Sequence, residues 1–215
     1  MALPLVFLLV LSIQYHAHLL SASDPDPIED FCLSTGGSKP GDTSCMNNNV
    51  TVEDFIFTGI KLPGNFTNTG FTSKPVNANV FPGLNTLGLS LVRADFGVGG
   101  VNVPHYHPRA TEIAYVLEGK IYSGFVDTQG KIFAKVIEKG EVMVFPRGML
   151  HFQMNVGESP AAILGSFDSQ NPGLMKIPST IFGSDINEEL LEKAFGLSSK
   201  DLRKLKKKVQ LILSF

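Results

Sequence analysis

An excess of charge of one sign is what this sequence lacks first: 18 Lys and Arg stand against 20 Asp and Glu, for a formal net charge of −2. So balanced a chain has no global field to draw it to nucleic acid or to an anionic membrane, and both partners are set aside. Long apolar runs are also missing. The most apolar stretch, residues 3–13, is too short to span a bilayer. Cysteine is scarce, with only Cys32 and Cys45. There is no internal repeat and no low-complexity segment. Finally, residues 1–23 contain no Asp, Glu, Lys or Arg.

That last absence has a direct reading. An uncharged, apolar start that ends in Leu20-Ser21-Ala22-Ser23 has the form of a signal peptide cut before Asp24, although the usual positive first segment is missing. In the oxidising compartment this implies, Cys32 and Cys45 should pair, and so short a bridge contributes about 2 to 3 kcal/mol by restricting the unfolded chain. Two sequons, at Asn49 and Asn65, fall in the Gly-, Asn- and Thr-rich region that follows, where surface loops are expected. Leader, cysteine pair and sequons together predict a secreted glycoprotein.

With 215 residues, 43% of them apolar and 18% charged, the chain has material for one full-sized core and is short for two. Residues 24–82 are broken by Pro, Gly, Asn and Thr and read as an irregular arm with one or two strands. From residue 83 the texture becomes regular. Segments 87–96, 113–117, 120–126, 132–137, 141–145, 151–156 and 161–167 are rich in Val, Ile, Phe and Tyr and separated by Gly-containing turns, which predicts an all-β sandwich or barrel over residues 83–175. Within residues 176–215 the period switches to helical. Segments 187–195 and 199–213 predict terminal helices, the second capped by Ser198 or Ser199, with Lys204, Lys206, Lys207 and Lys208 as its solvated face.

Histidine carries the chemistry. His16 and His18 fall in the leader, so His105, His107 and His151 are all the histidines of the mature chain. A lone histidine in a β-domain is usually structural; three that converge are not. His105 and His107, two apart, point to one face of a strand while Tyr106 points to the other. Glu112 can add a carboxylate from the next strand, and His151 returns through the turn Phe145-Pro146-Arg147-Gly148. Three imidazoles and a carboxylate form a mixed N/O set without thiolate, which excludes iron–sulfur and blue-copper centres. Tetrahedral zinc and octahedral manganese or iron stay open.

The spacing is specific. Gly99, His105, His107, Glu112 and Gly119 fit the first cupin motif in its germin form, and Gly140, Pro146, Gly148, His151 and Asn155 fit the second at every position. Phe81-Pro82-Gly83-Leu84-Asn85, Ser169-Gln170-Asn171-Pro172-Gly173 and Phe182-Gly183-Ser184-Asp185 are also similar to words of the germin family, as is the early cysteine pair. The sequence therefore resembles the germin-like proteins from residue 24 nearly to its end.

The resemblance implies an all-β jelly-roll barrel with two or three C-terminal α-helices. It implies a Mn2+ ion held by His105, His107, Glu112 and His151, a homohexamer built as a trimer of dimers, and a place in the plant apoplast and cell wall. It implies either oxalate oxidation or superoxide dismutation, with a non-catalytic binding protein, for example of the auxin-binding type, as the alternative. Oxalate-oxidising germins place two asparagines beside the metal; one matches Asn102, but the other falls on Val92. A valine donates no hydrogen bond, and a buried carboxylate oxygen short of a donor costs about 1 to 3 kcal/mol. Superoxide, which needs little beyond an accessible redox metal and protons, is thereby favoured.

Overall fold

The computed structural model describes residues 29–33, 45 and 49–213. The expected leader, residues 1–23, lies outside them. Ten strands follow one another: β1 (Phe71–Val76), β2 (Ser90–Phe96), β3 (Val101–Tyr106), β4 (Glu112–Glu118), β5 (Lys120–Val126), β6 (Ile132–Glu138), β7 (Val142–Phe145), β8 (Leu150–Asn155), β9 (Ala161–Phe167) and β10 (Met175–Lys176). Three helices close the chain: α1 (Ile177–Phe182), α2 (Glu188–Phe195) and α3 (Ser199–Leu213).

The strands form two five-stranded antiparallel sheets, ordered β1-β2-β9-β4-β7 and β10-β3-β8-β5-β6. Alternation explains why they face each other. Ala114 and Val116 of β4, Ile121 of β5, Phe96 of β2 and Ile163 of β9 turn inward and close one core with Phe145. Gly119 joins β4 to β5 at φ 84°, and a Cβ there would come within 2.4 Å of the Ala161 side chain, so this turn requires glycine twice over.

The arm is less strand-like than its apolar pieces suggest. Residues 52–60 hold a single 3-10 turn, Val52–Phe55, closed by reciprocal capping between Thr51 and Asp54, whereas β1 pairs with β2 and is an edge strand of the first sheet. Cys32 and Cys45 are joined in a disulfide. Helix α2 starts where Asn187 accepts from the Leu190 amide and ends at left-handed Gly196. Helix α3 begins where the Ser198 hydroxyl accepts from the Asp201 amide. Leu191, Leu202 and Val209 are buried in this helical end. Among the described residues no helix is long and apolar enough to cross a membrane.

Candidate metal centre

The cluster is assembled by strand register. β3 and β8 are antiparallel neighbours, and His105 lies directly opposite His151. Opposed residues in a ladder share a face. His107 sits one residue past the end of β3, where its carbonyl accepts from the Gly148 amide at 3.1 Å. The turn that leads to His151 is thus tied to the loop that carries His107. Glu112 is the first residue of β4, in the facing sheet.

All four side chains are buried, and one ligand atom from each lies within 4.8 Å of every other. Each histidine has its Nδ1 occupied by a backbone carbonyl: His105 by Val103 at 2.8 Å, His151 by Met149 at 2.8 Å, and His107 by Gly173. A neutral imidazole donating from Nδ1 leaves its Nε2 lone pair free. Two of those Nε2 atoms, of His107 and His151, lie 3.2 Å from the same oxygen, Glu112 Oε2. Lone pairs facing a carboxylate need a cation between them.

Protonation agrees with that need. Burial, with His151 close by, pushes His105 down to about 3, so its ring is neutral. Burial alone would raise Glu112, but its close contacts with His107 and His151 overcome that and hold the carboxyl at about 2. Neutral imidazole and ionised carboxylate are the forms a metal ion takes. Three imidazoles and one carboxylate without sulfur suit a divalent first-row ion. The rings are also fixed by packing, Phe145 stacking on His151 and Phe167 meeting His107 edge-on.

Beside the cluster lies a cavity of about 310 Å³, walled by apolar residues such as Val92, Ile163 and Leu174 together with the amides of Asn102 and Gln153. Asn102 Nδ2 donates to Gln153 Oε1 at 2.7 Å, so each amide fixes the other. Val92 lines the wall with no polar atom to offer. Tyr106, as the period-2 argument expects, is not among the lining residues. Asn155, the last position of the second motif, is structural: its amide nitrogen donates to the carbonyls of Gly97 and Ser159, and its oxygen accepts from Gly157.

Sequence reasoning missed three contributors. Gln153 carries a signal, since it stands two residues after His151 on one strand and so shares its face. The Gly173 carbonyl, set by a turn whose Asn171 is gripped by Arg109, carries none. Gly165 of β9 is opposite both Val92 and Ala114, and its value lies in the space it leaves. The two sequon asparagines are both exposed, and Asn65 Oδ1 accepts the hydroxyl of Thr67 at 2.7 Å.

Comparison with known proteins agrees with the geometry. The cupin family model matches residues 58–203. A germin-like protein of subfamily 3, member 2, from Arabidopsis thaliana is 56% identical over 201 residues, covering 90% of this chain and 88% of that protein. Germin-like protein 2-4 from Oryza sativa subsp. japonica is 50% identical over 200 residues, covering 88% and 87%. Among solved structures, an oxalate oxidase superposes with a TM-score of 0.81 at 37% identity, covering 87% of this chain and 98% of its own. The paired histidines on and just after β3, the glutamate facing them from β4 and the third histidine on β8 therefore sit in a fold that relatives share along most of their length, and the chain belongs to the germin-like proteins of the cupin family.

Proposed function

We propose that this chain is a secreted, manganese-dependent protein of the plant cell wall whose activity is superoxide dismutation, with His105, His107, Glu112 and His151 as the metal ligands. The observation that carries the reading is the wall of the cavity beside them. It offers the Asn102–Gln153 amide pair, with Val92, which has no polar atom, at the position where a second amide would hold an oxalate dianion. Two superoxide ions and two protons yield dioxygen and hydrogen peroxide, one anion oxidised and the other reduced. A bound manganese ion would supply the one-electron redox couple. The chain's own residues hold the ligand rings by their Nδ1 bonds, exclude bulk water with Phe145 and Phe167, and keep the entering anion beside the amide pair.

One observation favours oxalate instead. Asn102 stands where an oxalate-binding amide is expected, and the oxalate oxidase is the structural neighbour named above. The two readings separate in one experiment: metal analysis of the native protein by mass spectrometry, with paired superoxide and oxalate assays on wild type and on His151→Ala. Manganese occupancy with dismutation that His151→Ala abolishes supports the proposal. Full zinc occupancy, or no rate above free manganese, overturns it in favour of a non-catalytic binding protein.

Assembly and address belong to the same proposal. Ile113, Tyr115, Val142 and Val144 are exposed on the outer face of the first sheet, where β4 and β7 pair Ile113 with Val144 and Tyr115 with Val142. A contiguous apolar face of this kind suits burial against a second subunit, as a hexamer built from dimers would provide. The disulfide and the two exposed sequons, Asn49 and Asn65, support passage through an oxidising, glycosylating route to the apoplast.

A further inference from the structure

Lys176 is the second residue of the two-residue strand β10, and it pairs directly with His105 of β3. His105 in turn lies opposite His151 on β8. The three residues form one row across three neighbouring strands. Directly opposed residues project from the same side of a sheet, so the side chain of Lys176 shares the inner face with the two imidazoles. Neighbouring strands lie about 5 Å apart, which brings the base of this lysine within reach of the metal cluster.

Among the described residues the cation has no partner of its own: no carboxylate and no hydrogen-bond acceptor meets its Nζ, in contrast to Lys120, Lys135, Lys193 and Lys206, each of which has a carboxylate within 3.0 Å. It is half-buried and lines the cavity beside the cluster. It also lines a second cavity of about 280 Å³ under Pro178, Ser179 and Val209 of the helical end. Ser73, Asn102 and Lys176 are common to both cavities, so they form the partition between the two.

A half-buried ammonium that no anion among the described residues neutralises raises the local concentration of anions, and in a low-dielectric cleft it does so strongly. From this placement we infer that Lys176 is the recruiting residue for a small monoanion that enters the cavity beside the cluster. One positive charge beside largely apolar walls matches a ligand of one negative charge and small volume, such as superoxide or a short monocarboxylate. The inference rests on the proposed metal site, since the cluster is the destination of the anion, but not on which reaction follows there.

The test uses full-length secreted protein, loaded with cobalt so that visible absorption reports an anion arriving at the metal, with azide as the probe. Metal content is measured first. A chain that takes up no metal overturns the metal-site reading and this inference together, before any azide is added. In loaded protein, Lys176→Gln is expected to weaken azide binding about tenfold and to flatten its dependence on ionic strength, with metal content unchanged. Lys176→Arg, which keeps the charge, is expected to restore both. Lys176→Met gives the same comparison should the Gln variant fold poorly. Superoxide kinetics on manganese-loaded protein and competition by acetate then identify the natural monoanion: for superoxide, kcat/KM falls in Lys176→Gln at low salt and converges with wild type at high salt. Azide affinity equal in wild type and in Lys176→Gln, with equal salt dependence, overturns the inference even if dismutation is found. A Lys176-dependent azide site without dismutation sustains the inference and removes the proposed reaction.

Discussion

Gly165 lies against the carboxylate of Glu112: a methyl group on its α-carbon would come within 2.5 Å of Glu112 Oε1 and 2.9 Å of Val92 Cγ1. A flexible glutamate would ordinarily step aside. This one is buried and has its other oxygen between His107 and His151, so its freedom is already spent. Gly165→Ala is therefore expected to fold and to lower metal affinity about 10- to 100-fold, the range typical of lost support around a metal ligand. Metal stoichiometry after dialysis against a graded chelator measures it, and full retention would show that the carboxylate has another seat.

Val92 occupies the same ladder position from the other side, opposite Gly165 and lining the cavity. Val92→Asn supplies the amide whose absence argues against oxalate. Oxalate binding to the metal-loaded variant is expected to tighten about tenfold, the worth of one hydrogen bond to a charged group. Calorimetry of wild type and variant decides the point, and unchanged affinity would remove Val92 as the cause of discrimination.

Acid should destabilise the metal-free fold, and the sign follows from two depressed groups. His105 titrates near 3 in the folded chain against an ordinary 6.5, and Glu112 near 2 against 4.5. Between each pair of values the unfolded chain binds the proton and the folded chain does not. Falling pH therefore favours unfolding, from about 6.5 down to 3 for His105 and from 4.5 down to 2 for Glu112, with a slope of at most about 1.4 kcal/mol per pH unit for each group. Urea denaturation of chelator-treated protein at several pH values follows the loss. His105→Gln should flatten the part between 6.5 and 4.5, where Glu112 does not yet contribute.

The disulfide should act on the unfolded chain and not on the site. Cys32 and Cys45 close a loop of sequence separation 13, and the Cys32 carbonyl accepts from Asn85 Nδ2 at 2.9 Å, which fastens the arm to the barrel. Replacing both cysteines by serine is expected to cost about 2 to 3 kcal/mol in chemical denaturation while leaving metal content unchanged. A loss of metal would instead tie the arm to the cluster.

How much of this was legible in the sequence follows from the range over which each signal acts. Strand-forming composition between Gly-containing turns marks β5 and β9 to the residue, and both strands lie inside the sheets. The sequence places the start of β2 too early, at residue 87. Thr86 and Gly88 both have positive φ and hold residues 86–88 in turns, so pairing starts only at Ser90. Helix α1 was not separated from its surroundings, being a single six-residue segment with proline in its first turn. Of the site, the four candidate ligands were readable because their spacing is fixed by strand geometry. Gly165 and Lys176 were not. What each does depends on a cross-strand neighbour more than 50 residues away in sequence, and nothing local distinguishes them from an ordinary strand glycine or a surface lysine.

Strand β4 serves two masters at alternate residues. Glu112, Ala114 and Val116 are buried toward the cluster and the core, while Ile113 and Tyr115 stand exposed on the opposite face. Gaining or losing one residue within the strand would invert both sets from that point, sending apolar side chains inward where small ones fit and core residues out to solvent. The buried cluster and the exposed apolar face thus share one reading frame of side chains, and a change in this segment that kept the cluster while altering the outer face would have to come by substitution alone.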